Sequence, residues 1–120
     1  ERFFYNPTFT VEKTLFDHKG QVIHLAGTRI NPLHHFSFGE PLIFIDGNDP
    51  DQVAYAKNIK KREGGQITLV RGSPLDLGDI YQDRFYFDQS GSYTRKLGIT
   101  KVPAIVRQKG DKLEIQVVPV

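Results

Sequence analysis

Cysteine is absent from all 120 residues. Thiol–disulfide exchange is therefore excluded, because the attacking group is a thiolate and no other side chain replaces it. The same absence leaves no disulfide to staple the fold. It does not fix the compartment, since cytosolic proteins lack disulfides and an exported protein can fold without them. An excess of one charge is also missing: 16 Lys+Arg against 14 Asp+Glu give +2 and a pI near 8.9, with both signs mixed along the chain. So small a surplus gives no basic face for nucleic acid. No apolar run approaches the roughly 18 residues of a spanning helix, and no charged start precedes an apolar stretch and a cleavage site. The chain opens on Glu1 rather than Met, which suggests a processed product or an excised fragment, from which a signal could have been removed. Internal repeats and low-complexity stretches are lacking too.

What remains is the composition of an ordinary globular domain: 38% apolar and 12% aromatic residues, with nine Phe and five Tyr to build a core. A chain of this length hides roughly two-thirds of the surface exposed when unfolded, enough for one domain with an appendage. Residues 1–39 have β character. Phe3-Phe4-Tyr5 and Phe9-Thr10-Val11 are aromatic and β-branched, separated by Asn6-Pro7. Thr14-Leu15-Phe16 and Val22-Ile23-His24-Leu25 flank Asp17-His18-Lys19-Gly20, a hairpin in which Asp opens the turn and Gly closes it. Gly39-Glu40-Pro41 is the predicted boundary between a β-rich segment, 1–39, and a second unit, 40–120.

Beyond that boundary the periodicity changes. Leu42-Ile43-Phe44-Ile45 is a continuous apolar run suited to a central strand covered on both faces. Asp49 as N-cap, Pro50 at the first helical position and Gln52 reaching back to the cap's backbone N–H predict a helix start. Lys57, Lys60, Lys61 and Arg62 suit its negative end, and Gly64-Gly65 its stop. Ile67 to Val70 follows as a strand, Ser73-Pro74 opens a short helix toward Tyr81, and Arg84 to Asp88 forms a further strand. A helix over Ser92–Leu97 stopped by Gly98, an extended Val102 to Val106 and an alternating Leu113 to Val118 complete the chain. Strand, helix, strand, helix and terminal hairpin is the order of an α/β, thioredoxin-like core.

Three candidate chemistries fail on spacing. Asp46, Asn48, Asp49 and Asp51 crowd oxygen ligands into one loop, but an EF-hand counted from Asp46 would have Asp51 at its required Gly and Lys57 at its bidentate Glu. His34 and His35 on an extended chain would point to opposite faces, with no Cys to help His18 or His24 hold a metal. Gly72-Ser73-Pro74 lacks the spacing of a phosphate loop and reads as a helix start. No cofactor and no catalytic residue is predicted.

Four blocks in fixed order carry a resemblance. They are Asp17 to Val22 with Gly27 to Leu33, Leu42 to Ala54, Leu69 to Ser73, and Phe85 to Gly91 running into Leu97-Gly98-Ile99 and Val102-Pro103-Ala104. Through them nearly the whole chain resembles the C-terminal half of the TraW family, periplasmic assembly proteins of F-type conjugative pili in type IV secretion. The resemblance implies a degenerate thioredoxin-like fold in which Asp46 to Asp51 stands where redox relatives carry Cys-x-x-Cys, and Gly98 to Ala104 is the cis-proline loop. It also implies a non-enzymatic role in pilus assembly in the periplasm, beside a thioredoxin-like partner of the TrbC family and other F-type secretion components. Because the chain stops straight after the hairpin, the final helix of a full thioredoxin fold is missing. One sheet face is then open, or covered by the N-terminal segment or a partner. In such a loop a cis Val102-Pro103 bond would leave the preceding backbone free to pair with an extended peptide, or Pro103 merely sets the approach to the hairpin. Ile99, Thr100, Lys101, Val102 and Pro103, with Asn48, Asp49 and Pro50 at the helix start, are thus the candidate protein-binding residues. The alternatives are a thiol-independent peptide chaperone and an auxiliary subunit of a disulfide oxidoreductase or peroxidase.

Overall fold

The computed structural model describes residues 1–119. Its centre is a βαβ unit: β6 (Leu42–Asp46), α1 (Pro50–Glu63) and β7 (Gln66–Arg71), with the two strands parallel. A second crossover, α2 (Pro74–Tyr81), leads to β8 (Phe85–Phe87), parallel to β7. After α3 (Ser92–Leu97), β9 (Ala104–Lys109) returns antiparallel beside β6 and pairs with β10 (Lys112–Val117). An N-terminal strand, β1 (Arg2–Tyr5), pairs antiparallel with β10 and closes a six-stranded sheet of order β1-β10-β9-β6-β7-β8. A βαβ unit followed by a hairpin laid antiparallel against its first strand is the thioredoxin-like α/β arrangement anticipated above, here without any Cys-x-x-Cys pair.

Alternation along the strands builds two cores. Ile43, Ile45, Ile67, Leu69, Phe85 and Ile105 face α1 and α2, meeting Val53, Ala56, Ile59 and Leu77. Phe44, Ala104, Val106, Leu113 and Ile115 fill the other face with Leu97 and Ile99. On that second face Leu33 and Phe38 pack down from the N-terminal segment, so the segment covers part of that side of the sheet. Two polar contacts fasten it. The Asn31 Nδ2 donates to the Asp111 carbonyl at 2.8 Å, and the Phe38 N–H donates to Gln108 Oε1 at 2.6 Å.

The rest of that segment makes two small ladders, β2 (Phe9–Thr10) with β5 (Arg29–Ile30) and β3 (Leu15–Phe16) with β4 (Val22–His24). Asp17 organises the β3–β4 turn by accepting from the N–H groups of Lys19 and Gln21. Pro32–His34 is a 3-10 turn capped by Asn31, so His34 is not on an extended chain as its sequence context implied. Because β9 runs antiparallel to β6, its far end projects past the beginning of β6. Asp111, where the segment is anchored, therefore lies at the end of the sheet opposite the β6–α1 loop.

Candidate functional site

Three loops meet beyond the C-terminal ends of β6 and β7. In the first, Asp49 caps α1 by accepting from the Asp51 N–H at 3.0 Å, and Pro50 occupies the first turn. Gln52 reaches back as predicted but to a different group: its Oε1 accepts from the Asp46 N–H at 2.8 Å, and its Nε2 lies 3.3 Å from Asp49 Oδ2. The end of β6 is thereby tied to the start of the helix. The second loop, Gly72-Ser73, crosses so near the first that a Cβ on Gly72 would lie 3.2 Å from the Gly47 Cα. The Gly47 N–H donates to the Arg71 carbonyl at 2.9 Å across this contact. The third loop, Ile99 to Pro103, precedes β9, and its Val102-Pro103 peptide is cis.

Between them lies a cleft of about 340 Å³ lined by Asp46, Val70, Arg71, Thr94, Ile99, Thr100 and Val102. Its one ion pair, Arg71 Nη1 to Asp46 Oδ2 at 3.9 Å, joins a guanidinium whose side chain is 76% exposed to a mostly covered carboxylate. Such a pair contributes little to stability and is free to exchange for another partner. Asp46 Oδ1 is already engaged by the Asn48 N–H at 2.8 Å. No thiol or imidazole lines the cleft, and among the described residues no hydrogen bond joins the Asp46 carboxylate to the Thr94 or Thr100 hydroxyl: Asp46 is held by Asn48 and Thr94 by Asp88. What the site offers is backbone. Among the described residues no main-chain hydrogen bond engages Thr100, Lys101 or Val102, which leaves their peptide groups available to a strand laid beside them.

The wall carrying Thr94 is held by Asp88, which is 2% exposed. Its carboxylate accepts from the Tyr93 N–H at 2.8 Å, the Thr94 N–H at 3.1 Å and the Thr94 hydroxyl at 2.8 Å. Burial pushes this acid upward, but those donors, with the charge of Arg95, outweigh it and hold the group below the usual carboxylate range.

The eight predicted residues divide by exposure. Thr100, Lys101, Asn48 and Pro50 are exposed, Val102 and Asp49 are half-buried, and Ile99 and Pro103 are buried. Ile99, Thr100 and Val102 line the cleft together. Asn48, Asp49 and Pro50 stand beside it on the loop that contributes Asp46. Sequence reasoning missed Val70, Arg71 and Thr94 as cleft residues. The available signal was positional: Val70 and Arg71 end a parallel strand, where crevices in α/β sheets open. All four histidines lie within residues 18–35, far from this cleft in the chain. Among the described residues no cluster of metal-ligating side chains forms, and no helix is long and apolar enough to cross a membrane.

Comparison with known proteins gives one curated relative and one structural neighbour. The chain is 35% identical over 118 residues to Protein TraW of Escherichia coli strain K12, which covers 96% of this chain and 56% of that protein. It thus spans little more than half of the relative's length. The solution structure of a Neisseria meningitidis protein assigned as a thioredoxin aligns with a TM-score of 0.47 and 18% identity, covering 94% of this chain and 79% of that one. No protein-family model matches the chain.

Proposed function

Because this chain is a TraW homologue over 96% of its length, we propose that it is a non-catalytic interaction module of conjugative pilus assembly in an F-type type IV secretion system. It works in the periplasm by docking a thioredoxin-like, TrbC-family partner, in company with other F-type secretion components. The observation that supports docking at the cleft is its unpaired rim: Thr100, Lys101 and Val102 carry no main-chain hydrogen bonds and border a crevice lined by no thiol or imidazole. An extended partner segment would take its affinity from those peptide groups and its specificity from the cleft beneath. Asn48, Asp49 and Pro50 form the opposite bank. In this reading residues 1–39 are a β-rich arm and 40–120 the docking domain.

Thiol–disulfide chemistry is closed to the chain, since it has no cysteine. The wider reading of it as no enzyme at all is tested by peroxide turnover on the purified protein, which should stay at background. Docking is tested by co-purification with a TrbC-family protein from periplasmic extract. Thr100→Glu, Lys101→Glu and Val102→Glu should each weaken recovery, and undiminished recovery with all three would remove the cleft from the account.

A further inference from the structure

The helix α2 breaks two local rules on its outward side. Leu75 and Ile80 are the most exposed large apolar side chains among the described residues, at 83% and 68%. They share one arc of the helix with Asp76 and Asp79, while Leu77 points the other way into the core. Asp79 sits in the last turn, where the helix dipole disfavours a carboxylate, and no basic residue accompanies it there. Neither Asp76 nor Asp79 has an ion-pair partner among the described residues. The nearby cations Lys57 and Lys60 are both engaged by Asp83, and Arg84 lines the groove of about 330 Å³ that runs beside Leu75 and Asp79. The last turn of α1, by contrast, carries three basic residues and that of α3 carries two. Asp76 suits the first turn, where the helix dipole favours a carboxylate, but stability alone would not place two aliphatic residues and the uncompensated Asp79 on the same water-facing arc. Departures from local rules of this kind mark surfaces used for something else.

We propose that the outward face of α2 is a second docking surface, and that its occupant is a cationic amphipathic segment of a partner protein. Aliphatic side chains of the segment would cover Leu75 and Ile80, and its lysines or arginines would pair with Asp76 and Asp79. Charge complementarity decides the sign of the partner: a carboxylate-bearing segment would meet like charge at the same two positions. The surface is separate from the cleft, so the proposal stands whether or not the Thr100–Val102 rim docks a strand.

The test is an amide-shift titration of the isotope-labelled 120-residue chain. One probe is a synthetic helical peptide with a leucine stripe flanked by lysines, and the other carries glutamate at every lysine position. The lysine peptide should move the amides of residues 75–81 saturably and bind at least about tenfold more tightly than the glutamate peptide. Leu75→Ala and Ile80→Ala should each weaken it by about tenfold without lowering the melting temperature, because neither side chain supports the core. Asp76→Asn with Asp79→Asn should shrink the difference between the two peptides, whereas Thr100→Glu should leave it alone. Equal binding of both peptides, shifts centred away from α2, no saturable binding, or a self-associated protein dispersed by Leu75→Glu would each overturn the proposal.

Discussion

Replacing Asp88 by alanine tests how the wall of the cleft is held. Three donors converge on this one carboxylate, and it is almost wholly buried. Its removal deprives the first turn of α3 of its side-chain acceptor. Loss of such a cap costs about 0.5–2 kcal/mol. Stranding a buried donor adds about 1–3 kcal/mol. Together these predict a loss of about 1.5–5 kcal/mol, which at a typical urea dependence of about 2 kcal/mol per M moves the unfolding midpoint down by about 1–2.5 M. The assay is urea unfolding followed by far-ultraviolet circular dichroism, since the chain has no tryptophan. The pH dependence has a defined sign. Asp88 is held below its unfolded value, so its stabilisation is present above the unfolded value of about 3.9 and is lost as pH falls through the folded value. The gap between wild type and Asp88→Ala should therefore be full at neutral pH and close as the solution is acidified. Asp88→Asn, which keeps one acceptor oxygen, should fall between the two. A change below about 0.5 kcal/mol at neutral pH, the range of an ordinary surface substitution, would refute the assignment of Asp88 as the support of α3.

Further expectations concern the packing behind the cleft. Burial pushes the Asp83 carboxyl upward, but Lys60, the Arg84 N–H and Lys57 overcome this and bring it down to about 2. Its contribution is thus present above about pH 3.9 and disappears as pH falls toward about 2. Asp83→Asn should flatten the acid limb of the stability curve in that window, measured by thermal melts across pH. Gly47→Ala would place its Cβ 2.6 Å from Leu77 Cδ1 and 2.8 Å from the Arg71 carbonyl oxygen. Since the carbonyl cannot yield as a side chain does, a loss of about 1–3 kcal/mol is expected, read by chemical denaturation. Phe44→Ala, at a position 1% exposed between the two strands that carry the sheet, should cost about 3–5 kcal/mol in the same assay.

The elements that were legible in the sequence are those specified by their own residues. Pro50, Pro74 and Gly98 mark helix ends, and α2 and α3 fall at the predicted Pro74–Tyr81 and Ser92–Leu97. The apolar run Leu42–Ile45 is the central strand because both of its faces are covered, by α1 on one side and Leu97 and Ile99 on the other. Pairing across the chain was not legible. Nothing in Arg2–Tyr5 states that its neighbour is Leu113–Gln116, and a strand alternating toward one core reads the same beside any partner. The cleft was half visible for the same reason. Ile99 to Val102 and Asn48 to Pro50 belong to local motifs, whereas Arg71 and Thr94 join them only through the close crossing at Gly47 and Gly72 and the anchoring of α3 by Asp88. Ile99 and Pro103 share the loop with Thr100 and Lys101 but turn into the core, a distinction that needs the sheet beneath them.

The account's central claim is that a cysteine-free thioredoxin-like scaffold serves as a docking surface through the rim of its cleft. Calorimetric titration of a purified TrbC-family protein into this chain, alongside the Thr100→Glu and Val102→Glu variants, measures that claim most directly. Saturable binding weakened at least about tenfold by either substitution, with both variants melting like the wild type, is the predicted result. Equal affinity for all three proteins, or no binding to the wild type, would contradict it.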